Sequence, residues 1–180
     1  MCAHPGKVLR ILLAVTTYRR PEMLRRLLTS IQALRIPADV ELSVCVVDND
    51  RDASARHIVT EMEPVGSPIR YTIAPARGIA NARNHALTRL GMHHNFLAFI
   101  DDDEWIEPGW LEAMLETQRS GDYDVTFGPV LGTVPPSAPR WMRQHGWFCR
   151  RGSGRSGPVE WNAGGTGNVL LKAATLRRGR

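Results

Sequence analysis

An α/β fold, built as a three-layer sandwich around a mostly parallel central sheet, is what this sequence predicts, on three observations. Apolar runs of strand length alternate with amphipathic stretches of helix length along most of the 180 residues. Runs such as Val8–Val15 and Phe96–Ile100 lack polar alternation, which suits strands covered on both faces. The connections are short, as right-handed β-α-β crossovers require.

Val8–Val15 reads as the first strand and gives way to a polar loop, Thr16-Thr17-Tyr18-Arg19-Arg20. Pro21 then suits the first turn of a helix, where its missing N–H costs nothing. Met23, Leu24, Leu27, Leu28, Ile31 and Leu34 share one face of that helix, and Pro37 ends it. Glu41–Val47 is a second strand, closing in Asp48-Asn49-Asp50. A weaker helix over Ser54–Glu63 and a turn over Pro64–Pro68 follow. Ile69–Ala74 alternates more than the other strands, which places it near an edge. Arg77-Gly78 opens a helix with Ile79, Ala82, Ala86, Leu87 and Leu90 on one face. Phe96–Ile100 is the fourth strand, Pro108 starts the next helix, and Tyr123–Val130 is the fifth strand. Beyond it the pattern changes: an extended stretch with Pro135, Pro136 and Pro139, one or two helical turns over Arg140–Trp147, and a basic loop over Cys149–Pro158. A glycine-rich segment, Trp161–Asn168, and a short strand, Val169–Leu171, complete the reading.

The length suits one well-buried domain. No apolar run reaches the ~20 residues of a membrane span, and the start has no signal-peptide core. Three scattered cysteines, without metal-type spacing, suit free thiols in a reducing compartment. A cytoplasmic protein is therefore expected, free or peripheral on the inner face of a membrane. Charge is unevenly spread. Residues 140–180 carry nine Lys/Arg against one acid, whereas residues 1–139 carry 14 against 17. A basic end beside acidic strand termini fits an anionic ligand.

The chemistry collects at the carboxyl ends of strands, where ligands bind in open α/β sheets. Thr16–Arg19, Asp48–Asp50 and Asp101–Glu104 all lie there. Four consecutive acids at the tip of the fourth strand repel one another, and a divalent metal bridging to a substrate's phosphates would relieve this. A solvated acidic turn is the plainer alternative.

In this order the pieces resemble the nucleotide-sugar-dependent glycosyltransferases of the GT-A fold, family 2. The resemblance runs from Val8 to about Leu176. It rests on Thr16-Thr17-Tyr18-Arg19-Arg20-Pro21, Val46-Val47-Asp48-Asn49-Asp50, Arg77-Gly78-Ile79-Ala80-Asn81-Ala82-Arg83-Asn84, Phe99-Ile100-Asp101-Asp102-Asp103-Glu104 and Gly164-Gly165-Thr166-Gly167-Asn168-Val169-Leu170-Leu171-Lys172. The fourth segment is similar to that family's Asp-X-Asp motif. The resemblance implies that Asp103, with Asp101, ligates Mn²⁺ or Mg²⁺ on the diphosphate of a UDP- or GDP-type sugar donor. Asp101 and Asp102 would lie against the ribose and sugar, and Asp48 would accept from the nucleobase edge. Thr16, Thr17, Tyr18 and Arg83 would line the nucleotide pocket. It also implies an inverting transfer to an acceptor hydroxyl on a saccharide, lipid or protein.

Residues 1–134 are then the nucleotide-sugar-binding region, and 135–180 the start of an acceptor-side region in the same domain. The family's general base is expected shortly after the segment matching Val169–Leu176, yet residues 161–180 hold no Asp or Glu. The catalytic residue is unassigned, and the chain reads as a donor-binding half lacking that C-terminal part. Trp141, Trp147 and Trp161 suit either sugar stacking or a core. Arg150, Arg151 and Arg155 suit a solvated loop or a lid, and His85, His93 and His94 read as surface residues. Two other classes stand beside this one. A non-catalytic nucleotide or nucleic-acid binder fits the pI near 9.6, but acids at strand ends repel a polyanion, so no nucleic acid is expected. A haloacid-dehalogenase-type phosphatase also puts Asp-X-Asp after an apolar strand, but on its first strand and without a residue like Trp105 following.

Overall fold

The five strands expected before residue 131 are all present in the computed structural model, which describes residues 8–62, 69–144 and 164–178. In chain order they alternate with helices: β1 (Leu9–Thr17), α1 (Pro21–Gln32), β2 (Val40–Asp48), α2 (Arg56–Glu61), β3 (Ile69–Ile73), α3 (Ile79–Leu87), β4 (Phe96–Asp101), α4 (Trp110–Gly121) and β5 (Val125–Phe127). A short α5 (Arg140–Gln144), then β6 (Asn168–Lys172) and α6 (Ala173–Arg178), follow. One six-stranded sheet holds them in the order β3-β2-β1-β4-β6-β5. The first four are mutually parallel, and β6 is antiparallel to both β4 and β5. The sheet is thus mostly parallel, with the alternating β3 at its edge.

Strand parity explains the unbroken apolar runs. Along β1, Ile11, Leu13 and Val15 face one layer with Leu24, Leu27 and Leu28 of α1 and Leu111 and Leu115 of α4. Leu12 and Ala14 face the opposite layer with Phe99, Ala82, Ala86 and Val169. Both faces are dry, so both parities must be apolar. The second layer is lined by alanines on α3, and these small side chains let that helix lie close to the sheet. Cys45 belongs to this layer as a buried free thiol.

Three details differ from the sequence reading. The first strand runs on through Thr16 and Thr17, because their backbone continues the ladder opposite Val47 and Asp48. The fifth strand shrinks from Tyr123–Val130 to three residues and pairs with β6. Pro129 has no N–H for a ladder, so the strand stops before it. The helix expected from Ser54 begins at Arg56, after Ala53 takes a left-handed conformation at φ 56°. The turn expected over Pro64–Pro68, the basic loop over Cys149–Pro158, Trp147 and Trp161 lie outside the described residues.

Strand order reverses beside β1. The connections through α1 and α2 step the sheet towards β3, while α3 carries the chain back to β4 on the other side of β1. The carboxyl ends of β1 and β4 therefore flank a switch point, with Thr16 directly opposite Asp101. This placement depends on the β1 core. Replacing Leu13, fully buried at its centre, by alanine should lower the unfolding free energy by about 2–5 kcal/mol. Met92→Ala, at a side chain 81% exposed, should change it by no more than about 0.5 kcal/mol. Urea denaturation of the two variants measures both.

Candidate functional site

At the switch point a cleft of about 360 Å³ opens between the ends of β1 and β4 and the start of α3. Its lining includes Thr16, Thr17, Tyr18, Arg20, Asn49, Arg77, Arg83 and Asp101–Asp103. Local backbone geometry sorts the side chains. Arg19 adopts φ 54°, in the left-handed region that residues with a Cβ seldom enter. Arg19 then reaches towards β2, where its Nε donates to Asp50 Oδ2 at 2.9 Å. That bond and the guanidinium charge hold the Asp50 carboxyl below the usual range. Its neighbour Arg20 reaches the other way, to the acids beyond β4.

The acids are individually compensated. Asp102 is only 5% exposed. It accepts from Thr17 Oγ1 at 2.7 Å and from Arg20 Nη1 at 3.3 Å. Burial nonetheless outweighs these contacts and pushes its carboxyl above the ordinary aspartate range. Asp103 accepts from the same Arg20 Nη1 at 2.9 Å, and Asp101 from Arg83 Nη2 at 2.8 Å. Asp101 and Asp103 remain open, with side chains 37% and 49% exposed. The buried Nε–H of Arg83 finds no acceptor among the described residues. Behind Asp101 stands Gly167, whose carbonyl accepts from the Asp101 N–H at 3.3 Å. A Cβ there would fall 2.7 Å from Asp101 Oδ2 and 2.8 Å from Glu104 Oε1, so only glycine leaves these acids where they are.

The opposite wall is built from α3 and the loop after β1. Gly78, at φ 133°, starts α3, and its N–H donates to Asn49 Oδ1 at 3.0 Å. Arg77 and Arg19 lie 4.8 Å and 5.3 Å from the centre of the Tyr18 ring. Cation–π attraction orients the ring.

Of the residues expected to bind nucleotide-sugar, the structure gathers Thr16, Thr17, Tyr18, Arg83, Asp101 and Asp102 along one cleft, with Asp103 beside them. It does not bring Asp48 there. That carboxylate is fully buried. Oδ1 accepts from the Asp50 N–H at 2.9 Å, and Oδ2 from the Ala55 N–H at 2.9 Å and the Tyr71 hydroxyl at 2.7 Å. Asp48 ties β2, β3 and the start of α2 together, and its successor Asn49 meets the cleft instead. Sequence reasoning gave no individual role to Arg20, Asn49, Arg77 or Gly167. The paired arginines after the first strand were the available signal for Arg20. His94, read as a surface residue, is 6% exposed. Its Nδ1 accepts from the Gly91 N–H at 2.9 Å and its Nε2 lies 3.3 Å from Ser43 Oγ. Among the described residues no group of three or more His, Cys, Asp or Glu side chains is arranged to hold a metal by itself. No helix among them is long and apolar enough to cross a membrane.

Residues 13–175 match the family described as Glycosyl transferase family 2. The chain belongs to that family. Succinoglycan biosynthesis protein ExoM of Rhizobium meliloti (strain 1021) is 38% identical over 175 residues, which are 96% of this chain and 55% of ExoM. The chain thus spans about half the length of this relative. Glycosyltransferase GlyA of Streptococcus pneumoniae serotype 4 is 29% identical over 119 residues. Among solved structures, S. aureus TarS 1-349 in complex with UDP-GlcNAc superposes with a TM-score of 0.70 at 18% identity, over 95% of this chain and 47% of that one. The mannosyltransferase PcManGT from Pyrobaculum calidifontis, in complex with GDP-Man and Mn²⁺, superposes at 0.64 and 20% identity, over 97% and 47%. These likenesses establish the GT-A fold.

If Asp48 is a structural tie, Tyr71→Phe should weaken it without touching the cleft. Removing one hydrogen bond to a buried carboxylate should cost about 1.5–3 kcal/mol of stability by chemical denaturation. Any affinity of the folded variant for nucleoside diphosphates should stay within about twofold of the native chain's, a difference too small to reflect a lost contact.

Proposed function

We propose that the cleft between β1 and β4 binds the diphosphate of a UDP- or GDP-sugar together with Mn²⁺ or Mg²⁺. We also propose that the family 2 protein to which it belongs transfers the sugar to an acceptor hydroxyl with inversion. The observation that carries this reading is the charge of the cleft. Three arginines and three aspartates line it, an even balance. A dianionic diphosphate alone would leave it strongly negative inside a low-dielectric wall, whereas the same group with a divalent cation restores neutrality. The donor set supports the same conclusion. Asp101 and Asp103 are open, oxygen-bearing and not fully used, and hard cations commonly bind one or two carboxylates while phosphates and water complete the shell.

When bound, such a cation would neutralise charge developing on the leaving phosphate oxygens. The chain's own residues do the rest. Asp102, pinned by Thr17 and Arg20, holds the tip of β4 against the end of β1. Arg77 and Arg83 provide positive charge along the α3 wall, where a diphosphate needs donors. Tyr18, braced by two guanidinium groups, offers a flat face to a base or ribose.

No carboxylate other than Asp101–Asp103 lines the cleft among the described residues, so a general base for the acceptor is not assigned within it. We propose that the 180-residue chain binds donor with weak or no transfer. Similarity to ExoM, a succinoglycan biosynthesis protein, supports a saccharide acceptor for the whole protein.

A thermal-shift series with UDP, GDP and ADP, each with and without Mn²⁺, tests this reading. UDP or GDP should stabilise the chain only when Mn²⁺ is present, by about 2.7 kcal/mol at a hundredfold excess over Kd. Asp103→Ala should abolish the metal-dependent part. Equal stabilisation with and without Mn²⁺, or an unchanged response in Asp103→Ala, would contradict it.

A further inference from the structure

We infer that Arg20 is a positioning residue that makes metal and donor binding cooperative, by holding Asp103 until a diphosphate draws its guanidinium away. This rests on the donor-site reading of the cleft. Arg20 is anchored at its backbone, where its carbonyl accepts from the Leu24 N–H in the first turn of α1 at 3.0 Å. Its side chain is half exposed and has solvent to move through. Among the described residues its guanidinium meets only Asp102 and Asp103, at 3.3 and 2.9 Å. The two acids are not equivalent. Asp102 is buried and keeps the Thr17 hydroxyl when Arg20 leaves, so the tip of β4 stays in place. Asp103 is half exposed and loses the one hydrogen-bond donor the described residues give it. The second pair in the cleft, Arg83 with Asp101, is less exposed on both sides and is the stiffer of the two.

A cation arriving alone at Asp103 therefore competes with a guanidinium whose one other acceptor among the described residues is the buried Asp102. The lost ion pair is subtracted from the metal's affinity. A diphosphate arriving with the cation changes the balance, because guanidinium and phosphate oxygens form strong charge-assisted hydrogen bonds and Arg20 lines the same cleft. Displacement of Arg20 from Asp103 then loses little. Each ligand improves the binding of the other, and by linkage the improvement is the same in both directions. The cleft would stay closed to free metal and accept it with donor.

The test titrates Mn²⁺ into the full chain, counting free ion by electron paramagnetic resonance, without nucleotide and with saturating UDP or GDP. It compares the native chain with Arg20→Gln and Arg20→Lys, and the unfolding midpoint of each confirms that it is folded. Arg20→Gln should bind Mn²⁺ alone more tightly, by about 1.5- to fivefold, the span expected for loss of a half-exposed ion pair. The tightening of Mn²⁺ by nucleoside diphosphate should shrink by a similar factor. Arg20→Lys, which keeps the charge, should retain most of the coupling. Unchanged Mn²⁺ affinity and coupling in Arg20→Gln, or equal weakening in both titrations, would overturn the role of Arg20 while leaving the donor site standing. Absence of Mn²⁺ binding by the native chain even with UDP and GDP would overturn the donor site itself, and the role of Arg20 with it.

Discussion

Charge compensation at the tip of β4 is the constraint on which this cleft depends. Consecutive aspartates at a strand end repel one another, and the fold tolerates them because each has a partner delivered from another element. Thr17 comes from the end of β1, Arg20 from the residue that precedes α1, and Arg83 from α3. Because Thr16 lies opposite Asp101 in the parallel ladder, a slip of β1 against β4 would separate the acids from these partners and turn the alternate face of each strand inward. Apolar packing thus enforces the register, and the register aligns the charges.

The same logic accounts for residues that do no chemistry. Gly167 lets the start of β6 press against Asp101 and Glu104, a space that any Cβ would fill. Asn168, next to it, is 6% exposed and accepts from Trp110 Nε1 at 2.9 Å while donating to the Pro129 carbonyl at 2.9 Å. One residue therefore ties the start of α4, the end of β5 and the inserted strand together directly behind the acids. Asp48 plays the corresponding part on the other side of β1, where it joins β2, β3 and α2. The cleft is thus flanked by two buried polar ties.

Much of the fold was legible because both signals that encode it are local. Unbroken runs such as Leu97–Ile100 announce strands buried on two faces, and Pro21 and Gly78 mark helix starts. What was not legible depends on contacts distant in the chain. That β6 enters between β4 and β5 follows from packing, not from its few residues. Asp48 looked like a cleft residue because it ends a strand beside other acids. The Asp50 and Ala55 N–H groups and the Tyr71 hydroxyl, 23 positions on, show where its oxygens are directed. His94 misled in the opposite sense, since a polar residue near a helix end is buried once Ser43 and the Gly91 N–H receive it. The acids themselves were legible, and their arginine partners were visible as residue types but not as pairs.

The central claim is that a diphosphate and a divalent cation share the end of β4 with these aspartates. Anomalous X-ray scattering from crystals of the chain grown with GDP or UDP and Mn²⁺ tests it most directly. A single strong manganese peak in contact with Asp103 or Asp101, adjoining phosphate density over the carboxyl ends of β1 and β4, is expected. Manganese elsewhere, or nucleotide bound away from the Thr16–Asp101 junction, would contradict it.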